Sequence, residues 1–207
     1  MRLRDFQQDF KNKFRIKVRK APHLLEQLVT DFYEQVDSPF LKENLREALS
    51  RALEKVRSFS KNLNFRVRQL SPRNIELVLP RRDRLMEGQQ ETEKQYSEGV
   101  LITVGIEAGR LLWQRNAPKT AKGFFVHSVN WKLLKFIESE AIFRMELSEV
   151  ARETALAELA KNIGNSIENN QKTNLELQGQ YYDHNDQLCG EITLEIYLTA
   201  YKLLDWK

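Results

Sequence analysis

Glu107 is the acidic residue most conspicuously placed for chemistry, because Val100, Leu101, Val104, Ile106, Ala108, Leu111 and Leu112 surround it with apolar side chains. A carboxylate taken out of water is costly to keep charged, and such a group is suited to accept a proton as a general base. Arg110 lies three residues further on, one helical turn away, and offers an ordinary ion pair. Both readings of Glu107 stand at this point. The three histidines, His23, His127 and His184, have no metal-ligand spacing. The run Asp183-His184-Asn185-Asp186 starts like a calcium loop, but Leu188 and Leu194 stand where such a loop needs Gly and Glu. No metal site is expected. Cys189 is the only cysteine, so it forms no internal disulfide and reads as a small strand residue. Gly-x-Ser-x-Gly, phosphate-loop and dinucleotide fingerprints do not occur, and no cofactor is expected.

The elements that would carry these residues follow from periodicity. Ser97 can cap a helix from about Glu98 to Gln114 whose apolar positions cover most of its circumference, the mark of a buried helix. Residues 65–68 and 75–79 alternate around Ser71-Pro72-Arg73-Asn74 and predict a β-hairpin. The polar stretch 81–96, with Gly88, predicts a loop. Beyond the Asn116-Ala117-Pro118 break, 125–134 predicts a strand in which His127 and Asn130 fall on opposite faces. A strand at 141–147 and a helix from Ser148 to about Glu168 come next. A long hairpin closes the domain, with Leu175, Leu177, Gly179 and Tyr181 answered by Leu188, Gly190, Ile192, Leu194, Ile196 and Leu198. Consecutive hairpins predict a mainly antiparallel sheet.

The first 60 residues read differently. Residues 1–20 hold eight Lys/Arg against two Asp, and Leu3, Phe6, Phe10, Phe14 and Val18 form one helical stripe. Such a basic amphipathic helix can contact an anionic surface or cover the protein's own core. Pro22 and Pro39 suit the first turns of two further helices. The expected organisation is a basic helical extension over residues 1–60 and one α+β domain over 61–207. With 41% hydrophobic and 30% charged residues the chain can bury a core and remain solvated. Its apolar windows, 100–112 and 192–204, are shorter than the roughly 20 residues of a membrane span. The basic start lacks the apolar run of a secretory signal, and a cytoplasmic location is expected.

The order of elements, with two sequence stretches, resembles the hotdog fold of PaaI-like acyl-CoA thioesterases. Leu134-Lys135-Phe136-Ile137-Glu138-Ser139-Glu140-Ala141 through Leu147 is similar to that family's strand end, acidic turn and following strand. Gly99 to Gly109, ending Ile106-Glu107-Ala108-Gly109, is similar to its central helix. The resemblance spans about residues 62–200. It implies an antiparallel sheet wrapped around a central helix, hydrolysis of an acyl-CoA or carrier-linked acyl thioester, and a homo-oligomer, as a dimer or dimer of dimers. It also implies roles. Glu107 would activate water, Gly99 and Val100 would frame the oxyanion, and Tyr96, His127 and Asn130 would contact substrate. The alternative is a non-catalytic acyl-binding module whose basic helices hold a membrane, nucleic acid or protein partner.

Overall fold

The computed structural model describes residues 63, 65–81, 86–87, 94–117, 121–164 and 172–200. The expected helices of the first 60 residues lie outside these. The chain divides into two units between Val67 and Arg68, and the architecture below is that of the second, with strand β1 beginning two residues ahead of the division.

Six strands form one sheet: β1 (Arg66–Leu70), β2 (Asn74–Leu79), β5 (Ala121–Leu133), β6 (Ala141–Glu146), β7 (Thr173–Tyr182) and β8 (Leu188–Ala200). Their order across the sheet is β1-β2-β6-β7-β8-β5, and β2/β6, β6/β7, β7/β8 and β8/β5 are antiparallel. Helix α1 (Glu98–Asn116) packs on β2, β5, β6 and β8, so the sheet holds the helix as the hotdog fold requires. Helix α2 (Glu149–Gly164) packs on β7 and β8. Ser148 caps α2, its hydroxyl accepting from the Ala151 amide at 3.1 Å. Among the described residues, no helix is long and apolar enough to cross a membrane.

Alternation along β7 explains why one sheet face is sealed. Thr173, Leu175, Leu177, Gly179 and Tyr181 are buried, while Asn174, Glu176, Gln178 and Gln180 face outward. On β8 Ile192, Leu194, Ile196 and Leu198 alternate as buried positions beyond the buried Cys189 and Gly190. Against this surface α1 presents Leu101, Val104, Gly105, Ala108, Gly109, Leu111 and Leu112. The two glycines set the distance. A Cβ on Gly105 would lie 2.7 Å from Ile192 Cδ1, and one on Gly109 would lie 3.1 Å from both Leu177 and Leu194. Small residues one turn apart thus let the helix settle onto the sheet.

The predicted loop 81–96 contains a two-residue ladder, β3 (Met86–Glu87) with β4 (Gln95–Tyr96). Strands this short leave no alternation in the sequence, which is why the stretch read as a loop.

Candidate active site

Helix α1 carries both halves of the expected chemistry. Glu107 is buried, 5% exposed, and its carboxylate accepts a hydrogen bond from the Arg110 guanidinium. At about 100° per residue Glu107 lies on the flank of the sheet-facing stripe, nearest to Val104 and Leu111. The sequence left a buried base and an ion pair as alternatives, and the side chain is both buried and paired.

The helix start is built from backbone. The Ser97 carbonyl accepts from the Val100 amide at 3.0 Å and the Leu101 amide at 3.2 Å. Val100 thus has its N–H committed within the first turn. The amides ahead of it, on Glu98 and Gly99, are those a helix cannot satisfy from within, and they carry its positive dipole end. Ser97 occupies the N-cap position, yet its hydroxyl makes no cap bond. Gly99 is exposed, and a Cβ there would approach only Ser97 Oγ, at 3.7 Å, so space lies open beside it. The Thr103 hydroxyl donates to the Gly99 carbonyl at 2.7 Å and stiffens the turn.

Tyr96 fixes where this turn sits. Its hydroxyl donates to the Leu79 carbonyl at 2.9 Å, and its amide donates to the Ile137 carbonyl at 3.3 Å. Burial, reinforced by the nearby Glu140 charge, pushes its phenol far above the ordinary tyrosine range. The ring therefore stays neutral and anchors α1 to β2, with its hydroxyl already engaged by protein.

His127 and Asn130 do not join this group. The expectation that they lie on opposite faces fails because the β5/β8 register shifts between Val126 and Ser128. A bulge inserts one residue and reverses the parity of everything after it. Both side chains are exposed, and both lie on the outer sheet face. His127 stacks on Tyr197 with ring centroids 4.5 Å apart, beside a shallow groove of about 330 Å³ bordered by Asn174, Glu176 and Glu195. Asn130 is in register with Thr193, among the outward positions of β8. The sheet separates both from α1.

Among the described residues no group of three or more His, Cys, Asp or Glu is arranged to hold a metal ion. Cys189 is buried and donates its thiol to the Gln187 carbonyl at 3.2 Å; burial raises its pKa and keeps it a thiol.

Sequence reading missed an aromatic row beneath the helix start. Trp131 packs edge-on against Tyr181 at 5.5 Å, and Tyr181 packs against Phe143 at 4.4 Å. Glycines make room for it: a Cβ on Gly179 would lie 2.4 Å from Phe143, and one on Gly190 would lie 2.5 Å from Trp131. The Tyr181 hydroxyl donates to the Leu101 carbonyl, so the row is tied to the first turns of α1. Glycines inside otherwise apolar strands were the available signal.

No family model matches the sequence, and no curated protein matches it. Solved structures do match in fold. A Pseudomonas aeruginosa protein of unknown function, named a probable thioesterase, superposes with a TM-score of 0.61 at 15% identity, over 75% of this chain and 96% of that one. A thioesterase from Haemophilus influenzae gives 0.55 at 15% identity, over 78% and 93%. A Pseudomonas aeruginosa thioesterase variant gives 0.55 at 10% identity, over 74% and 94%. At such identities the likeness speaks for the fold. The sheet order, the helix it holds and these matches agree: the chain has a hotdog fold, shared with structures named as thioesterases.

Proposed function

We propose that the protein hydrolyses an acyl thioester, with CoA or a carrier as the leaving thiol, and does so as a dimer. The observation that carries this reading is the pairing, on one helix, of an open amide-bearing start at Gly99 with a buried carboxylate at Glu107. Amides at a helix start stabilise negative charge that develops on a carbonyl oxygen. Glu107 takes a proton from water as the water oxygen attacks the thioester carbon. The tetrahedral oxyanion collapses, the carbon–sulfur bond breaks, and the departing thiolate is protonated to the free thiol.

Geometry within one chain argues for the second copy. Eight residues separate Gly99 from Glu107, which at 1.5 Å per residue is about 12 Å along the helix axis. A base must reach its proton within about 3 Å or through one water. One chain's carboxylate therefore cannot serve a carbonyl held at its own helix start. Among the described residues β5 is one of the two edge strands of the sheet, thirteen residues long, with Phe125 53% exposed. A long unpaired edge is a template for a second chain. In the proposed dimer Glu107 of one copy faces the helix start of the other.

The test is release of free CoA from a panel of acyl-CoA thioesters by wild type and Glu107→Ala. Loss of turnover in the variant supports the proposal, and equal rates remove Glu107 from the mechanism. One observation favours a second reading. The Arg110 guanidinium already occupies the Glu107 carboxylate with an ion pair. A module that binds acyl thioesters without cleaving them would bind the same panel and release no CoA from it.

A further inference from the structure

Between β5 and β6 the chain crosses over residues 134–140, and both ends of this crossing are held by the end of the β7/β8 hairpin. The Cys189 carbonyl accepts from the Leu134 amide at 2.8 Å and from the Lys135 amide at 3.0 Å. The Lys135 ammonium donates to Gln187 Oε1 at 2.6 Å and to Asp183 Oδ2 at 3.3 Å. At the far end Ser139 Oγ lies 2.8 Å from His184 Nδ1. The middle of the crossing is buried: Ile137 is 1% exposed, and its carbonyl accepts from the Tyr96 amide. Tyr96 stands directly ahead of the Ser97 N-cap, three residues before Gly99.

Ser97 makes no side-chain cap bond, so the first turn of α1 takes its position from its neighbours. The Ile137 carbonyl is one of these, and Lys135, two residues earlier, ties the same stretch to the hairpin. The tie differs from an ordinary surface pair because Asp183 is nearly buried. Its Oδ1 accepts from the Asn185 and Gln187 amides, and its Oδ2 accepts from Lys135. Without the ammonium a nearly buried carboxylate loses its cation, and the turn must shift or take up water to compensate.

We infer that Lys135 is a positioning residue for the proposed thioester site. By fixing residues 134–140 to the β7/β8 turn it holds the Ile137 carbonyl, and through that carbonyl Tyr96, where they aim the Glu98 and Gly99 amides. This rests on the thioesterase reading of the helix start. Amides stabilise an oxyanion only within hydrogen-bond range of the place where its charge develops. A small displacement of the helix start is therefore felt in turnover more than in substrate binding.

The experiment uses the full chain and compares Lys135→Met with Arg73→Met, each assayed for CoA release over a range of acyl-CoA concentrations. Methionine keeps the stem and removes the ammonium. Arg73 pairs with Glu149 at 2.5 Å, and its neighbour Pro72 accepts from Asn116 in the last turn of α1, so this control breaks an ion pair at the other end of the helix. The expected result for Lys135→Met is a kcat about three- to tenfold lower, short of the roughly hundredfold fall of a lost oxyanion donor. KM should stay within about twofold of wild type. Lys135→Arg, which restores the charge, should recover most of kcat, and Arg73→Met should keep it. A wild-type kcat in Lys135→Met, or an equal fall in Arg73→Met, overturns the inference and leaves the thioesterase reading intact. If wild type releases no CoA, that reading falls, and hydrogen exchange at the Tyr96 amide decides the positioning. Faster exchange in Lys135→Met than in Arg73→Met supports the link from Lys135 to the helix start, and equal exchange overturns it. Should Lys135→Met fail to fold, Gln187→Ala removes the 2.6 Å acceptor while leaving Asp183 paired, and the same outcomes decide.

Discussion

The Arg110 guanidinium donates to the carboxylate of Glu107, one turn away on the same helix, and the acceptor is almost wholly buried. Removing one member of such a pair leaves the other charge without its partner in a poor solvent. Arg110 itself is a quarter exposed, so water screens part of the cost. Arg110→Ala is expected to lose about 1–3 kcal/mol in denaturant unfolding. Arg110→Met combined with Glu107→Gln is expected to lose less than either single change, and additive losses would show that the two residues are not coupled.

Packing of α1 gives a second prediction. Gly105→Ala places a methyl 2.7 Å from Ile192 Cδ1. Overpacking costs about 1–3 kcal/mol, offset in part by the better helix propensity of Ala, about 0.5–1 kcal/mol. Adding Ile192→Val removes the clashing methyl and is expected to restore the thermal midpoint. A midpoint that stays low in the double variant would place the cause elsewhere.

Tyr181→Phe keeps the ring between Trp131 and Phe143 but removes the donor to Leu101. Loss of a buried hydrogen bond costs about 1–3 kcal/mol. Because that bond holds the first turns of α1, hydrogen exchange at residues 101–105 should accelerate more than exchange in β7. Uniform acceleration would mean a global loss instead.

The turn between β7 and β8 carries a pH dependence. Asp183 accepts from the Gln187 amide at 3.0 Å and the Asn185 amide at 2.9 Å, with Lys135 nearby, and these hold its carboxyl below the ordinary range despite the opposing effect of burial. A pKa lower in the folded than in the unfolded chain means stability present above the unfolded value and lost as pH falls through the folded one. Unfolding measured between about pH 5 and pH 3 should therefore show a steeper loss for wild type than for Asp183→Asn. Parallel curves would contradict this.

The sequence showed the fold wherever periodicity was long enough to count. Helix α1 was predicted to begin at Glu98 and does so, because its apolar positions recur over several turns. The β7/β8 hairpin was legible from alternation around Asp183-His184-Asn185-Asp186. Parity arguments fail at insertions, and one bulge near His127 placed that residue and Asn130 together on the outer face. Capping was half legible. Ser97 and Ser148 look alike in sequence, yet only Ser148 uses its hydroxyl. The Glu107–Arg110 pair followed from spacing alone, whereas the Trp131–Tyr181–Phe143 row needed tertiary pairing of four strands that no local pattern encodes.

The central claim, that Glu107 of one copy serves the helix start of another, is tested by complementation. Glu107→Gln disables the base, and Gly99→Pro removes an amide at a first-turn position that tolerates proline. Each variant alone should be inactive toward acyl-CoA. In a two-fold dimer built from both, one site combines an intact Gly99 with an intact Glu107, so an equimolar, re-equilibrated mixture should recover about a quarter of wild-type turnover. A mixture that forms dimers and stays inactive would contradict the account.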